Sequence, residues 1–334
     1  MMNYTTFGDM TQFLALRRQQ TTLKTEITAL STSLTTGLAT DPVRHLNGDT
    51  RALTGIDMSL TRLNAYRQVT AEATAIAQSM QAALETMGSV SADTASTLLT
   101  AATSTDASVL TAAGLESRQS FETVIAALNT RIGQQSIFAG SNAGANAMAS
   151  AETILDALAT ATAGASTAGE LSDMVDDWFN DPAGFGSVAY LGGAARAGFQ
   201  VSDGDTLSLG ITAQDGAIKD LLRGLAKGAL LEGGALSGDL AERTALAQTA
   251  ATDLSSAESG RAWLAASLGI TEARLDSATT RNEAERSALM TARTNLISVD
   301  PYEAASRLEE AETQLNMLYA LTARMTSLSL VDYL

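Results

Sequence analysis

The chain has 334 residues, 45% of them hydrophobic but only 4% aromatic, with no cysteine, one histidine and a formal charge of −16. So acidic a chain lacks the basic surface that releases counterions from nucleic acid, and an anionic membrane is disfavoured on the same ground. The missing cysteines remove disulfides, thiolate nucleophiles and sulfur-bound metals. No apolar run is long enough to cross a bilayer.

Alanine supplies much of the apolar fraction, and only Pro42, Pro182 and Pro301 interrupt the chain. Both features predict long, thin helices. The first stretch, MMNYTTFGDMTQFLALRRQQ, has neither a basic leader nor a continuous apolar centre, so no standard secretory signal is expected. Phe13, Leu16, Gln20, Leu23, Ile27, Leu30 and Leu34 then step by threes and fours, which places one seam along a helix. After the break at DPVRHLNGD, Leu53, Ile56, Leu60, Leu63, Ile76, Met80, Leu84 and Met87 predict a helix over about 50–90. Another helical piece over 107–132 ends at Gly133.

Glycine rises and the periodicity changes between 136 and 250. SVAYLG, RAGFQVS and DTLSLGI read as short strands separated by turn sequences. Around them AETILDALAT, AGELSDMVDDWFND and AIKDLLRGLAKGALL read as helices.

The three–four rhythm then returns. It runs through Leu254, Ala257, Arg261, Leu264, Leu268, Thr271, Leu275, Ala278, Asn282, Glu285, Leu289, Ala292 and Leu296. A last arm repeats it with Leu308, Ala311, Leu315, Leu318, Thr322 and Met325, broadened by Leu321 and Leu328. Residues 1–40 carry three basic and two acidic side chains, whereas 300–334 carry two basic and six acidic ones. Opposite signs favour pairing the two ends. The expected fold is mainly α: a long helical rod with coiled-coil N- and C-terminal arms and a small inserted α+β domain. Its expected parts are arms at 1–40 plus 300–334, a helical rod domain at 41–135 plus 251–299, and an inserted domain at 136–250.

Catalytic signatures are scarce. One histidine, His45, cannot supply a two-histidine zinc helix, and its turn-like polar setting reads as solvated. LRGLAKGALL has its Lys before the Gly, the wrong order for a phosphate loop. Asp173, Asp176 and Asp177 read as a solvated helix face over Trp178, because a calcium loop needs six to eight oxygens from a tightly turned backbone. Asp203 and Asp205 flank a glycine, which is first a hairpin signal. No enzyme, metal or cofactor is expected.

Three segments resemble bacterial flagellin-like axial proteins. LSTSLTTGLATDP at 30–42 is similar to that family's N-terminal L-S-S/T-G segment and the turn after it. RIGQQSIFAGSN at 131–142 resembles the segment closing the first half of the rod in hook-associated members. NLISVDPYEAASRLEEAETQLNMLYALTARMTSLSLVDYL resembles the C-terminal block, and its SLSLVDYL ending is more similar to hook–filament junction members than to filament flagellin. The resemblance implies a non-enzymatic subunit, exported unfolded by the flagellar type III apparatus and residing in the extracellular flagellum. It further implies a homo-oligomeric ring between hook and filament. Its partners would be hook-associated protein 1 on the hook side, flagellin on the filament side, and an export chaperone. Filament flagellin itself is the alternative. In either case Phe13, Leu16, Leu23, Ile27, Leu30, Leu34, Leu308, Leu315, Leu318, Leu321, Met325 and Leu328 are the expected assembly interface. An isolated pair of such helices exposes much of each seam, and its few buried leucines do not repay the entropy of ordering both arms. The arms are therefore expected to be disordered in the free subunit and helical once assembled.

Overall fold

A computed structural model describes residues 6–331, with side chains described for 11–324. The chain divides into two compact units, Met1–Leu63 with Glu283–Leu334, and Asn64–Asn282. Among the described residues the main elements are helical, and the β structure is confined to two short hairpins.

The first unit holds α1 (Thr6–Thr36), the single-turn α2 (Pro42–His45) and α9 (Pro301–Val331). It also holds the beginning of α3 (Arg51–Ala102) and the end of α8 (Leu240–Ile297). α1 stops at Gly37, whose φ of +71° is open to glycine without penalty, and the Gly37 amide caps the Ser33 carbonyl at 2.8 Å. The buried Ser33 hydroxyl then meets Thr40 Oγ1 at 2.9 Å, and Thr40 Oγ1 donates to the Ala29 carbonyl. Asp41 accepts from the Arg44 amide and Pro42 occupies the first turn, so DPVR starts α2. The same device starts α9, where Asp300 accepts from the Tyr302 amide ahead of a helix beginning at Pro301.

The second unit holds the rest of α3 and α8 with α4 (Ala107–Leu128), α5 (Ala151–Ala161), α6 (Ala168–Asn180) and α7 (Gly216–Ala229). Side-chain caps fix the starts: Asp106 on the Ser108 amide, Ser150 on Thr153, Thr167 on Glu170, and Asp239 on Ala241 and Glu242. One continuous core fills this unit, with Met80, Leu84, Met87, Leu98, Phe121, Phe138 and Ile154 fully buried. α4 and α7 lie close together. A Cβ on Gly228 would strike the Ser117 side chain, and one on Gly114 would stand 2.4 Å from the Glu232 amide nitrogen.

Helix α4 ends at Leu128 rather than near Gly133, because Arg131–Ile132 (β1) pairs antiparallel with Gln135–Ser136 (β2). Gly133 serves the intervening turn at φ +59°. RAGFQVS and DTLSLGI form the second hairpin, β3 (Phe199–Ser202) against β4 (Asp205–Leu207), turning at Gly204. SVAYLG is not a strand. Phe185–Ala189 winds as a π-helical turn with Phe185 and Ala189 buried, closed by the Tyr190 amide donating to the Phe185 carbonyl at 2.9 Å. Phe185 stacks on Phe179 at 5.3 Å between ring centres, and only Tyr190 makes a β-bridge, to Met148.

Candidate assembly surface

In the first unit α1 and α9 pack side by side. Leu38 bridges Ser298, the Ala39 amide donates to the Ile297 carbonyl, and the Val299 amide donates to the Gly37 carbonyl. The end of α1 therefore lies beside the start of α9, and the helices run antiparallel. Further along, the Lys24 ammonium sits 5.9 Å from the Tyr319 ring centre. The Gln20 side chain and Lys24 hold the Tyr319 phenol below its ordinary range.

The seam closes only along its middle line. Leu23 is buried on α1, and Leu16, Ile27 and Leu30 are half-buried. On α9 Ala304, Ala311 and Leu318 are buried, and Leu308, Leu315 and Thr322 are half-buried. Three expected interface residues stay out in solvent: Phe13 at 51% exposure, Leu321 at 49% and Leu34. Met325 and Leu328 lie outside the residues whose side chains are described. Leu14, Met317 and Tyr319 are also exposed. The three–four count passed over them because they fall beside the seam, yet their apolar character on an otherwise polar face was readable.

Uncovered apolar side chains concentrate here. Ten of the eighteen exposed large hydrophobic side chains among the described residues belong to the first unit, which is the smaller one. Among the described residues, none of the main core cluster belongs to it. Asp57 and Arg293 add an ion pair at 2.7 Å. Both side chains are more than a third exposed, so the pair contributes only about 0–1 kcal/mol.

Asp176, Asp203 and Asp205 have structural partners. His45 is an exposed residue in the last turn of α2. Asp203 accepts from the Tyr66 hydroxyl at 2.8 Å, and Asp205 faces Arg281 at 3.4 Å. With Asn282 donating to the Val201 carbonyl, these contacts fasten the β3–β4 hairpin to α3 and α8. Asp173 and Asp177 are exposed as expected, but Asp176 is not simply solvated. It stands 2.7 Å from the Lys227 ammonium, which is 1% exposed and also donates to Asp253 at 2.6 Å. A buried lysine demands carboxylate partners, and the partner on a neighbouring helix was not visible from local spacing. Among the described residues no group of three His, Cys, Asp or Glu side chains could hold a metal ion, and no helix is long and apolar enough to cross a membrane.

This architecture is paired terminal helices with a helical unit bearing small β hairpins, and residues 244–334 match the bacterial flagellin C-terminal helical region. Two of the solved structures that match illustrate the shared fold. One is a Vibrio parahaemolyticus protein assigned as flagellar hook-associated, 11% identical, with a TM-score of 0.55 over 77% of this chain and 98% of that one. The other is Bacillus cereus FlgL, 15% identical, with a TM-score of 0.50 over 71% of this chain and 97% of that one. No curated protein matches the chain in sequence.

Proposed function

We propose that the chain is a structural subunit of the bacterial flagellum that assembles through its terminal helices, without catalysis. Its place is the hook–filament junction, the role of hook-associated protein 3, as a homo-oligomeric ring between hook-associated protein 1 and flagellin. It reaches that extracellular position through the flagellar export apparatus, held beforehand by an export chaperone. One observation carries the reading: the helices of the first unit close a narrow seam and leave Phe13, Leu14, Leu34, Met317 and Leu321 uncovered. A helix with apolar side chains beyond its partner's reach gains stability when further helices cover them. The expected interface is Phe13, Leu16, Leu23, Ile27, Leu30, Leu34, Leu308, Leu315, Leu318, Leu321, Met325 and Leu328. In dilute monomer residues 10–35 lack protected amides, and they become helical on assembly.

Deleting the gene and imaging the cells tests the junction role. Hooks without filaments, with flagellin lost to the medium, are expected; normal filaments overturn it. The match of 244–334 to a flagellin region favours a second reading, the filament flagellin itself. Long filaments grown from the purified chain alone would establish that reading instead.

A further inference from the structure

The second unit carries its own uncovered ridge. On α8 Trp263 is 70% exposed and Ile270 60% exposed, seven residues apart, with Ala266 exposed between them. Arg274 follows one turn later on the same side, exposed and without an ion-pair partner among the described residues. Beside this ridge α3 and α8 leave a cavity of about 760 Å³. Its walls include Ala71 and Ala75 on α3 and Gly269 and Ala273 on α8, with Arg67 on one side and Glu272 and Asp276 on the other. Neither carboxylate forms an ion pair among the described residues.

We propose that the Trp263–Ile270 ridge of one copy seats in this cavity of a second copy, with Arg274 meeting Glu272 and Asp276. The proposal rests on the self-assembly reading and extends it from the terminal helices to the second unit. Alanine and glycine walls let another helix come close enough for its large side chains to enter as ridges into a groove. The indole and the isoleucine supply the bulk that the walls lack. The charges agree: Arg274, the ridge's one cation, meets a rim on which two unpaired carboxylates outnumber the single Arg67, and the Arg274–carboxylate pairing fixes the register of the contact. Two large side chains cover much less than the roughly 800 Å² per partner that a stable pair buries. The contact therefore forms among copies already gathered by their terminal helices, and does not hold two dilute chains together alone.

The cysteine-free chain makes the test direct. Full-length Ala266→Cys and Ala75→Cys chains are mixed in equal amounts, assembled and oxidised. A disulfide-linked pair joining one chain of each kind is expected, well above the link either variant forms alone. In a Trp178→Phe background, Trp263 emission should shift to shorter wavelength on assembly. Assembly without the 75–266 link, and with Trp263 still in water, overturns this contact alone and leaves the terminal-helix reading standing. A chain that stays monomeric at every concentration, with or without hook components, overturns both. A Trp263 shift seen only on adding a different flagellar protein assigns the ridge to that protein and overturns the second-copy contact.

Discussion

In α8 the seam from Leu254 to Asn282 is buried at seven of its nine positions, whereas from Glu285 to Leu296 the same spacing carries only exposed or half-buried side chains. The first stretch belongs to the second unit and the other to the first. Both stretches are regular helix with the same three–four rhythm. In the second unit, Leu254, Leu264, Leu268 and Leu275 join a continuous core with Met80, Leu84, Phe121 and Leu225. In the first, Met290 is exposed and, among the described residues, no neighbouring layer completes the cover. An amphipathic pattern thus states that a face wants covering, and the amount of apolar material opposite decides whether one chain suffices.

The largest expected effect lies in the closed unit. Phe121→Ala removes a fully buried ring from the core and should cost about 3–5 kcal/mol, read as a lower denaturant midpoint with an unchanged slope. A loss under about 1 kcal/mol would mean that the second unit is as loosely held as the first.

Lys227→Ala comes next. It leaves Asp253 without the ammonium and Asp176 with only Arg223 at 3.4 Å, but both carboxylates are about a third exposed, so water screens part of the penalty. A loss of about 2–3 kcal/mol is expected from equilibrium unfolding. An unchanged midpoint would show that the ammonium escapes to solvent.

Leu321→Ala should separate the two units most sharply. The side chain is half in water even where α1 and α9 are paired, so monomer stability should move by no more than about 0.5 kcal/mol. Covering it in an assembly contributes on the order of 1.5 kcal/mol, so the critical concentration should rise about tenfold by sedimentation. An equal loss in monomer and assembly would erase the contrast.

The smallest effect is at high pH, where a tyrosine in each unit responds with opposite sign. Burial pushes the Tyr190 phenol up, so the unfolded chain ionises first as pH rises past about 10. The second unit loses stability there. Tyr319 is held down by Gln20 and Lys24, so pairing of α1 and α9 favours the phenolate. That contribution is present above the ordinary tyrosine range and is lost as pH falls through the lowered value. Phenolate absorbance of the assembled protein, in which α1 and α9 are paired, compared with Tyr190→Phe and Tyr319→Phe should show Tyr319 ionising before Tyr190; the reverse order would contradict both environments.

Periodicity and punctuation were legible in advance because they are local. Leucine spacing marked α1, α8 and α9, and Gly204 between two aspartates marked a hairpin. SVAYLG misled because its amides are taken up by the turn itself: Val188 donates to the Gly184 carbonyl and Tyr190 to the Phe185 carbonyl, against the β preference of its side chains. The Asp176 side chain misled because its partner, Lys227, lies about fifty residues away on another helix.

By itself the sequence determined that this chain forms long amphipathic helices with a glycine-rich interruption, no thiol chemistry and few large aromatic side chains to thicken a core. Only the tertiary structure decided which stripes find enough material opposite to be buried, where a lone ammonium gains two carboxylates, and which side chains are left facing water. The reason is the range of the forces. Helix periodicity is set by hydrogen bonds four residues apart, whereas burial is set by whatever surface the folded chain brings across the seam.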